Sequence, residues 1–149
     1  MRAVIQRVLH AQVHVEGEVV GKIDKGLLVY LSVGKGDGES DAAFMAAKIT
    51  ELRIFADEGG KMNRNVREAA GQVLLISQFT LHGDCRKGRR PGFDQAAEPH
   101  LAKRLYEQTI AAIGEKGITV ETGVFAATMQ VVSTNDGPAT FLLDSGKLF

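Results

Sequence analysis

Two apolar runs of strand length constrain this chain most: Leu27-Leu28-Val29-Tyr30-Leu31-Ser32-Val33 and the stretch from Gln72 to Phe79. A strand with one wet face alternates apolar and polar residues, so a run apolar at nearly every position must be covered on both faces. The rest of the chain has to supply that cover. After Gly34-Lys35-Gly36-Asp37-Gly38 breaks the pattern, Ser40 or Asp41 can cap a helix whose Ala42, Met45, Ile49 and Leu52 form one apolar stripe. Pro99 suits the first turn of a second helix, with Ala102, Leu105, Ile110 and Ile113 near one face until Gly114 or Gly117 ends it. Ala3–Leu9, Gln12–Val15 and Glu18–Ile23 read as strands before the first buried run, and Thr119–Phe125, Met129–Thr134 and Thr140–Leu143 as strands at the end. Asp57-Glu58-Gly59-Gly60 has turn chemistry, as does Asn135-Asp136-Gly137-Pro138 between the last two strands.

The predicted order is β-β-β-β-α-β-α-β-β-β, a mixed α/β (α+β) fold with β-rich mixed sheets covered by two main helices. At 149 residues, without repeat, low-complexity segment or linker, residues 1–149 are expected to form a single domain. A chain of that size buries a core without a disulfide or metal staple. The single cysteine, Cys85, rules out an intrachain disulfide. No signal-like apolar segment follows Met1-Arg2, so a reducing cytoplasm is the expected compartment. The longest wholly apolar run, Leu27–Leu31, is far short of the roughly 18 residues of a membrane span, and no membrane partner is expected.

Eighteen basic and eighteen acidic residues cancel. The balance excludes a histone-like coat for nucleic acid and an acidic solvating tail. It also conceals a local charge, because Arg86-Lys87-Gly88-Arg89-Arg90 holds four cations in five residues. Without them the remainder is −4, a mildly acidic body bearing one basic loop suited to local contact with a phosphate backbone.

Most motifs that carry chemistry fail on spacing. Gly34–Gly38 does not match the dinucleotide fingerprint, and Gly17–Lys22 is one residue short of a P-loop, with Ile23 where Ser or Thr should bind Mg²⁺. His10 and His14 stand four apart, which in a strand separates them by about 13 Å, too far to share a metal. His82, Asp84 and Cys85 make no tetrahedral set. No metal or cofactor is therefore expected. Ser77, Thr80 and Cys85 lie at or beyond the end of a buried strand, but the only nearby base is His82 and no nucleophile elbow surrounds Ser77. A hydrolytic triad is unsupported, and Ser77-Gln78-Phe79-Thr80-Leu81 can equally be a strand end whose polar residues cap the sheet.

Taken together, Ser77-Gln78-Phe79-Thr80-Leu81 and Asn135-Asp136-Gly137-Pro138-Ala139-Thr140 resemble the two signature motifs of the D-aminoacyl-tRNA deacylase family, also called D-tyrosyl-tRNA deacylases. The opening Arg2-Ala3-Val4-Ile5-Gln6-Arg7-Val8 is similar to the family's N-terminal strand. Lys61-Met62-Asn63, Arg86–Pro91, Val120-Glu121-Thr122-Gly123 and Met129-Gln130-Val131 extend the likeness from Arg2 to Ser145. The resemblance implies a homodimer that hydrolyses the ester between a D-amino acid, or mischarged glycine, and the 3′-terminal adenosine of tRNA. It implies that Gly137-Pro138 is a cis pair inserted into the partner subunit's site, its carbonyls receiving the substrate ammonium and excluding an L side chain, with Arg7 helping to hold it. Catalysis would then rest on backbone N–H groups near Phe79 and Thr80, assisted by the terminal ribose 2′-OH, with Ser77 and Gln78 beside them. Thr80 is the side chain to test as nucleophile or orienter.

Phe79, Phe125 and Met129 are candidates to pack on the terminal adenine, and Arg86, Lys87, Arg89 and Arg90 to hold the RNA. Ala139 departs from the Val or Phe common after Gly-Pro, Cys85 from a common Thr, and His82 from a common aromatic residue. Two other readings remain: a non-catalytic RNA-binding module, and a Thr80- or Cys85-dependent esterase of small molecules.

Overall fold

One long strand, β1 (Arg2–Val15), runs through both segments expected as the first two strands, and the sheet is built around it. One edge of β1 pairs antiparallel with β3 (Gly26–Ser32) over its first half and with β2 (Glu18–Ile23) over its second. Its other edge pairs along nearly its whole length with β8 (Gln130–Asp144), from Arg2 opposite Asp144 to His14 opposite Gln130. Beyond β3 lie β6 (Gln72–Ser77) and β7 (Val120–Thr122), both parallel to their neighbours, so the sheet is mixed, with order β2-β1-β3-β6-β7 and β8 on β1. This computed structural model describes residues 1–148; Phe149, the end of the expected domain, lies outside them.

The two faces of β3 and β6 are covered differently. Leu27, Val29, Leu31, Val73 and Leu75 point to α1 (Glu39–Glu51) and α2 (Pro99–Gly114), against Met45, Ile49, Leu105 and Ile113. The intervening Leu28, Leu74 and Ile76 point the other way, against Val8, Ala11, Val13 and Ile23 of β1 and β2. The sheet therefore bends back on itself and supplies its own second layer. Each wholly buried Leu, Ile or Val in these two cores stabilises the fold by about 1.5–3 kcal/mol. Backbones come close where the bend requires it: a Cβ on Gly21 would stand 2.4 Å from the carbonyl oxygen of Thr122, and one on Gly26 1.9 Å from that of Gln72.

Several boundaries differ from expectation. The second buried strand stops at Ser77, and Phe79–His82 forms a 3₁₀ turn, Gln78 being the residue where the strand geometry breaks. Gly38, not Ser40 or Asp41, is the N-cap of α1. Asp41 stands three residues on, its carboxylate accepting the Gly38 N–H at 2.9 Å. Glu98 caps α2 by accepting from the N–H groups of His100 and Leu101. A small hairpin, β4 (Phe55–Ala56) and β5 (Met62–Arg64), flanks the expected Asp57–Gly60 turn. The last strand of the sheet, β7, is shorter than Thr119–Phe125.

The main correction concerns Asn135-Asp136-Gly137-Pro138. It is not a turn between two strands but a bulge within β8, since Asn135 pairs with Val8, Thr140 pairs with Gln6, and residues 136–139 between them face only Arg7. The chain cannot reverse there because both flanks pair with the same strand in the same direction. Turn-forming residues thus bulge out of a continuous ladder.

Because the β3–β6 approach leaves no space for a side chain at its start, Gly26→Ala should destabilise the protein by roughly 1–3 kcal/mol. Thermal unfolding should show Tm lowered by about 2–4 °C for each kcal/mol. An unchanged Tm would contradict the packing described at Gly26.

Candidate active site

Parallel pairing brings the carboxyl ends of β3 and β6 side by side, with Leu31 opposite Ser77, and the chain leaves the sheet there. Crevices in sheets of this kind form beyond such strand ends. A cavity of about 500 Å³ opens at this point, lined by Ser77, Gln78, Phe79, Tyr106, Phe125 and Met129 among others. Its walls are mainly apolar. Tyr106 reaches it from α2 and donates its hydroxyl to the Leu75 carbonyl at 2.7 Å, and burial pushes its pKa up, so it stays a neutral wall. The Phe125 ring lies 5.9 Å from that of Tyr106. Ala126 closes the turn after Phe125 with φ of +63°, a conformation uncommon outside glycine.

The 3₁₀ turn at the cavity lip is held from below. Leu31 O accepts the Gln78 N–H at 2.8 Å, and the Leu81 N–H returns to Gln78 O at 3.2 Å. The N–H groups of Phe79 and Thr80 open the turn and have no acceptor within it. His82, at the end of the turn, is buried, and its Nδ1 lies 2.6 Å from Ser32 Oγ. Ser32 Oγ also lies 3.4 Å from Phe79 O, so the serine links the imidazole to the turn. His82 Nε2 faces the Gly34 backbone, where a Cβ would stand 2.8 Å away. Burial, together with the positive charge of Arg2, holds the His82 pKa below its ordinary value, and the carboxylates of Asp37 and Asp144 oppose the shift. Arg2 also donates to Leu81 O at 3.1 Å, tying the turn to β1.

The side chains considered for nucleophilic attack are not activated. Gln78 Nε2 donates to Thr80 Oγ1 at 2.5 Å, and an amide cannot take a proton from a hydroxyl at neutral pH. His82 is engaged with Ser32 beneath the turn, and Cys85 is exposed. Among the described residues no group of three or more His, Cys, Asp or Glu is arranged to hold a metal ion, and no helix is long and apolar enough to cross a membrane.

Gly137 and Pro138 do not line this cavity. They stand exposed on the far side of β1, joined by a cis peptide bond, with Ala139 buried behind them. Arg7 Nε donates to the Asp136 carbonyl at 3.1 Å and lies 2.9 Å from its carboxylate, while Nη1 donates to Ile54 O. The basic loop is a separate feature, closed by paired backbone bonds between Asp84 and Gly92. Arg86 is spent on Asp84, whose two oxygens it meets at 2.9 and 2.7 Å and whose carboxyl it holds well below the usual range. Lys87, Arg89 and Arg90 are exposed and form no ion pair among the described residues.

Sequence reasoning thus placed Ser77, Gln78, Phe79, Phe125 and Met129, which the fold gathers at one cavity. It missed Tyr106, Phe93, the Ser32–His82 link and the contacts of Arg7 with Asp136. Tyr106 was legible from its place one residue after Leu105 on the apolar face of α2; the others depend on contacts between distant segments.

The fold and cavity define a class: a mixed α+β domain with a mainly apolar cavity at the ends of parallel strands, its lip formed by a 3₁₀ turn. Within that class, the chain belongs to the family described as D-Tyr-tRNA(Tyr) deacylase, whose model matches residues 4–144. It is 56% identical over 149 residues to the D-aminoacyl-tRNA deacylase of Thermosipho africanus (strain TCF52B), covering all of both chains. It is 57% identical over 147 residues to that of Geobacter metallireducens (strain ATCC 53774 / DSM 7210 / GS-15), covering 99% of this chain and 97% of the other. Among solved structures it resembles a c-Myc DNA unwinding element binding protein, with TM-score 0.90, 36% identity and coverage of 97% and 98%. A probable eukaryotic D-amino acid tRNA deacylase shares the fold, with TM-score 0.82, 16% identity and coverage of 95% and 97%.

The lowered pKa of His82 has a consequence for stability. Below its ordinary value of 6.5 the unfolded chain binds a proton that the folded chain resists, so stability should fall as pH drops through that value. Thermal unfolding from pH 8 to 5 should show this component in the parent and lose it in His82→Gln. Identical pH profiles would mean His82 is not held neutral.

Proposed function

We propose that the chain is a D-aminoacyl-tRNA deacylase, hydrolysing the ester between a D-amino acid and the 3′-terminal adenosine of tRNA, with glycine mischarged on tRNA as a further substrate. The observation that carries the reading is the coincidence of the family match over residues 4–144 with one cavity at the Ser77–Phe79 strand end. Water attacks the ester carbonyl carbon, the carbonyl oxygen becomes an oxyanion, and the 3′ oxygen leaves with a proton, yielding free amino acid and tRNA. The N–H groups of Phe79 and Thr80 are the donors for that oxyanion, since preorganised backbone dipoles are often the largest single contribution to acyl transfer. The ribose 2′-OH supplies proton traffic that no side chain at the lip is placed to supply. Phe125 and Met129, with Tyr106 behind them, take the adenine.

Chiral selection is assigned to Gly137-Pro138 of a second copy. The pair is exposed and remote from the cavity of its own chain, so it can reach a substrate only in a partner. Arg7, bonded to the carbonyl and carboxylate of Asp136, holds it outward. The homodimer is therefore part of the reading, as are the tRNA contacts of Lys87, Arg89 and Arg90 and a site of action in the cytoplasm, where tRNA is charged and used. A small-molecule esterase would need an activated Thr80 or Cys85, and Thr80 is bonded only to an amide.

Incubation with matched D- and L-aminoacyl-tRNA should release the D-amino acid and spare the L form; equal loss of both would overturn the chiral assignment. Arg7→Ala should narrow the difference between the two forms. Cys85→Ala should be silent and Thr80→Ala should retain turnover within about tenfold. A loss of a hundredfold or more in either would place the chemistry on a side chain instead.

A further inference from the structure

Two large apolar rings are left in the open beside the cavity. Phe79 is 59% exposed and Phe93 38%, and they meet edge to face with ring centroids 5.1 Å apart. Phe79 lines the cavity. Phe93 follows directly on the basic loop, whose base is pinned where Asp84 and Gly92 exchange backbone bonds at 2.7 and 3.0 Å. Its ring lies against the Gly83 backbone, where a Cβ would meet Phe93 Cε1 at 3.2 Å. Phe93 thus joins Phe79 at the cavity to the base of the loop that carries Lys87, Arg89 and Arg90, which form no ion pair among the described residues.

Aromatic faces beside a line of cations are how single-stranded nucleic acid is held: bases stack on the rings and phosphates meet the charges. We propose that Phe93, braced by Phe79, is a stacking platform for an unpaired base on the 5′ side of the terminal adenosine, with Lys87, Arg89 and Arg90 taking the phosphates beyond it. This rests on the deacylase reading and extends it from the acyl-adenosine to the single-stranded end of the tRNA. Phe93 belongs to neither buried core.

The test compares two D-esters: D-aminoacyl-tRNA and 3′-O-D-aminoacyl-adenosine, which lacks every nucleotide but the last. For Phe93→Leu, the ratio of kcat/KM on tRNA to kcat/KM on the adenosine ester should fall about tenfold or more, the scale of one base–aromatic stack. Phe93→Tyr keeps the ring and should restore the parent ratio. Arg89→Ala with Arg90→Ala should flatten the salt dependence on tRNA. An unchanged ratio in Phe93→Leu, an equal loss on both esters, or a low ratio in Phe93→Tyr would each overturn the platform. Failure of the parent protein to cleave either ester would instead overturn the deacylase reading.

Discussion

The constraint on which the structure depends is the burial of β3 and β6 on both faces. Leu27, Val29 and Leu31 look one way and Leu28 the other, so neither strand can exist at the surface of a two-layer protein. Helices α1 and α2 satisfy one face. The other is satisfied by β1, long enough to pair with β3 in its first half, bend, and lay its second half with β2 across the back. Gly21 and Gly26 mark where that bend and the parallel pairing bring backbone to within a side chain's thickness. With both faces sealed, the open part of these strands is their carboxyl ends, and the cavity lies there.

From this follows the character of the site. The turn beyond β6 is anchored through Leu31 O, Ser32 and Arg2, and these anchors engage the His82 imidazole. What faces the cavity is the amino end of a 3₁₀ turn, a place where backbone N–H groups lack internal partners. The buried His82 braces the turn through Ser32. Its hydrogen bond to Ser32 contributes on the order of 1 kcal/mol to holding the turn, whereas an unpaired Ser32 hydroxyl in the same place would cost about 1–3 kcal/mol.

The buried strands, both helices and the single-domain character were legible because each is a local pattern: an apolar run, a stripe at helical spacing, a proline at a first helical turn. The bend of β1 was not, since Leu9 and His10 break the alternation at the surface and look like a gap between two strands. The same limit explains Asn135–Pro138. Composition marks a turn there, and only the pairing of Asn135 with Val8 and of Thr140 with Gln6 shows that the strand continues past it. Of the site, the residues adjacent in sequence were found from the motif, while Ser32 and Phe93, each joined to the turn from a distant segment, carried no signal of their own.

Charge sets how firmly an RNA end can be held. The acidic remainder of the body repels phosphate, and at physiological ionic strength that repulsion is screened beyond about 8 Å. The loop's attraction is equally local, and Asp84 has already neutralised one of its four cations through Arg86. In the proposed complex, three cations together with Phe79 and Phe93 would give a grip that acts at contact, falls with salt and adds little at a distance. For the proposed editing, in which most charged tRNAs are released unaltered, such weak and local attraction suffices. The neutral total charge is thus compatible with a nucleic-acid substrate because four of the eighteen positive charges are concentrated in one loop.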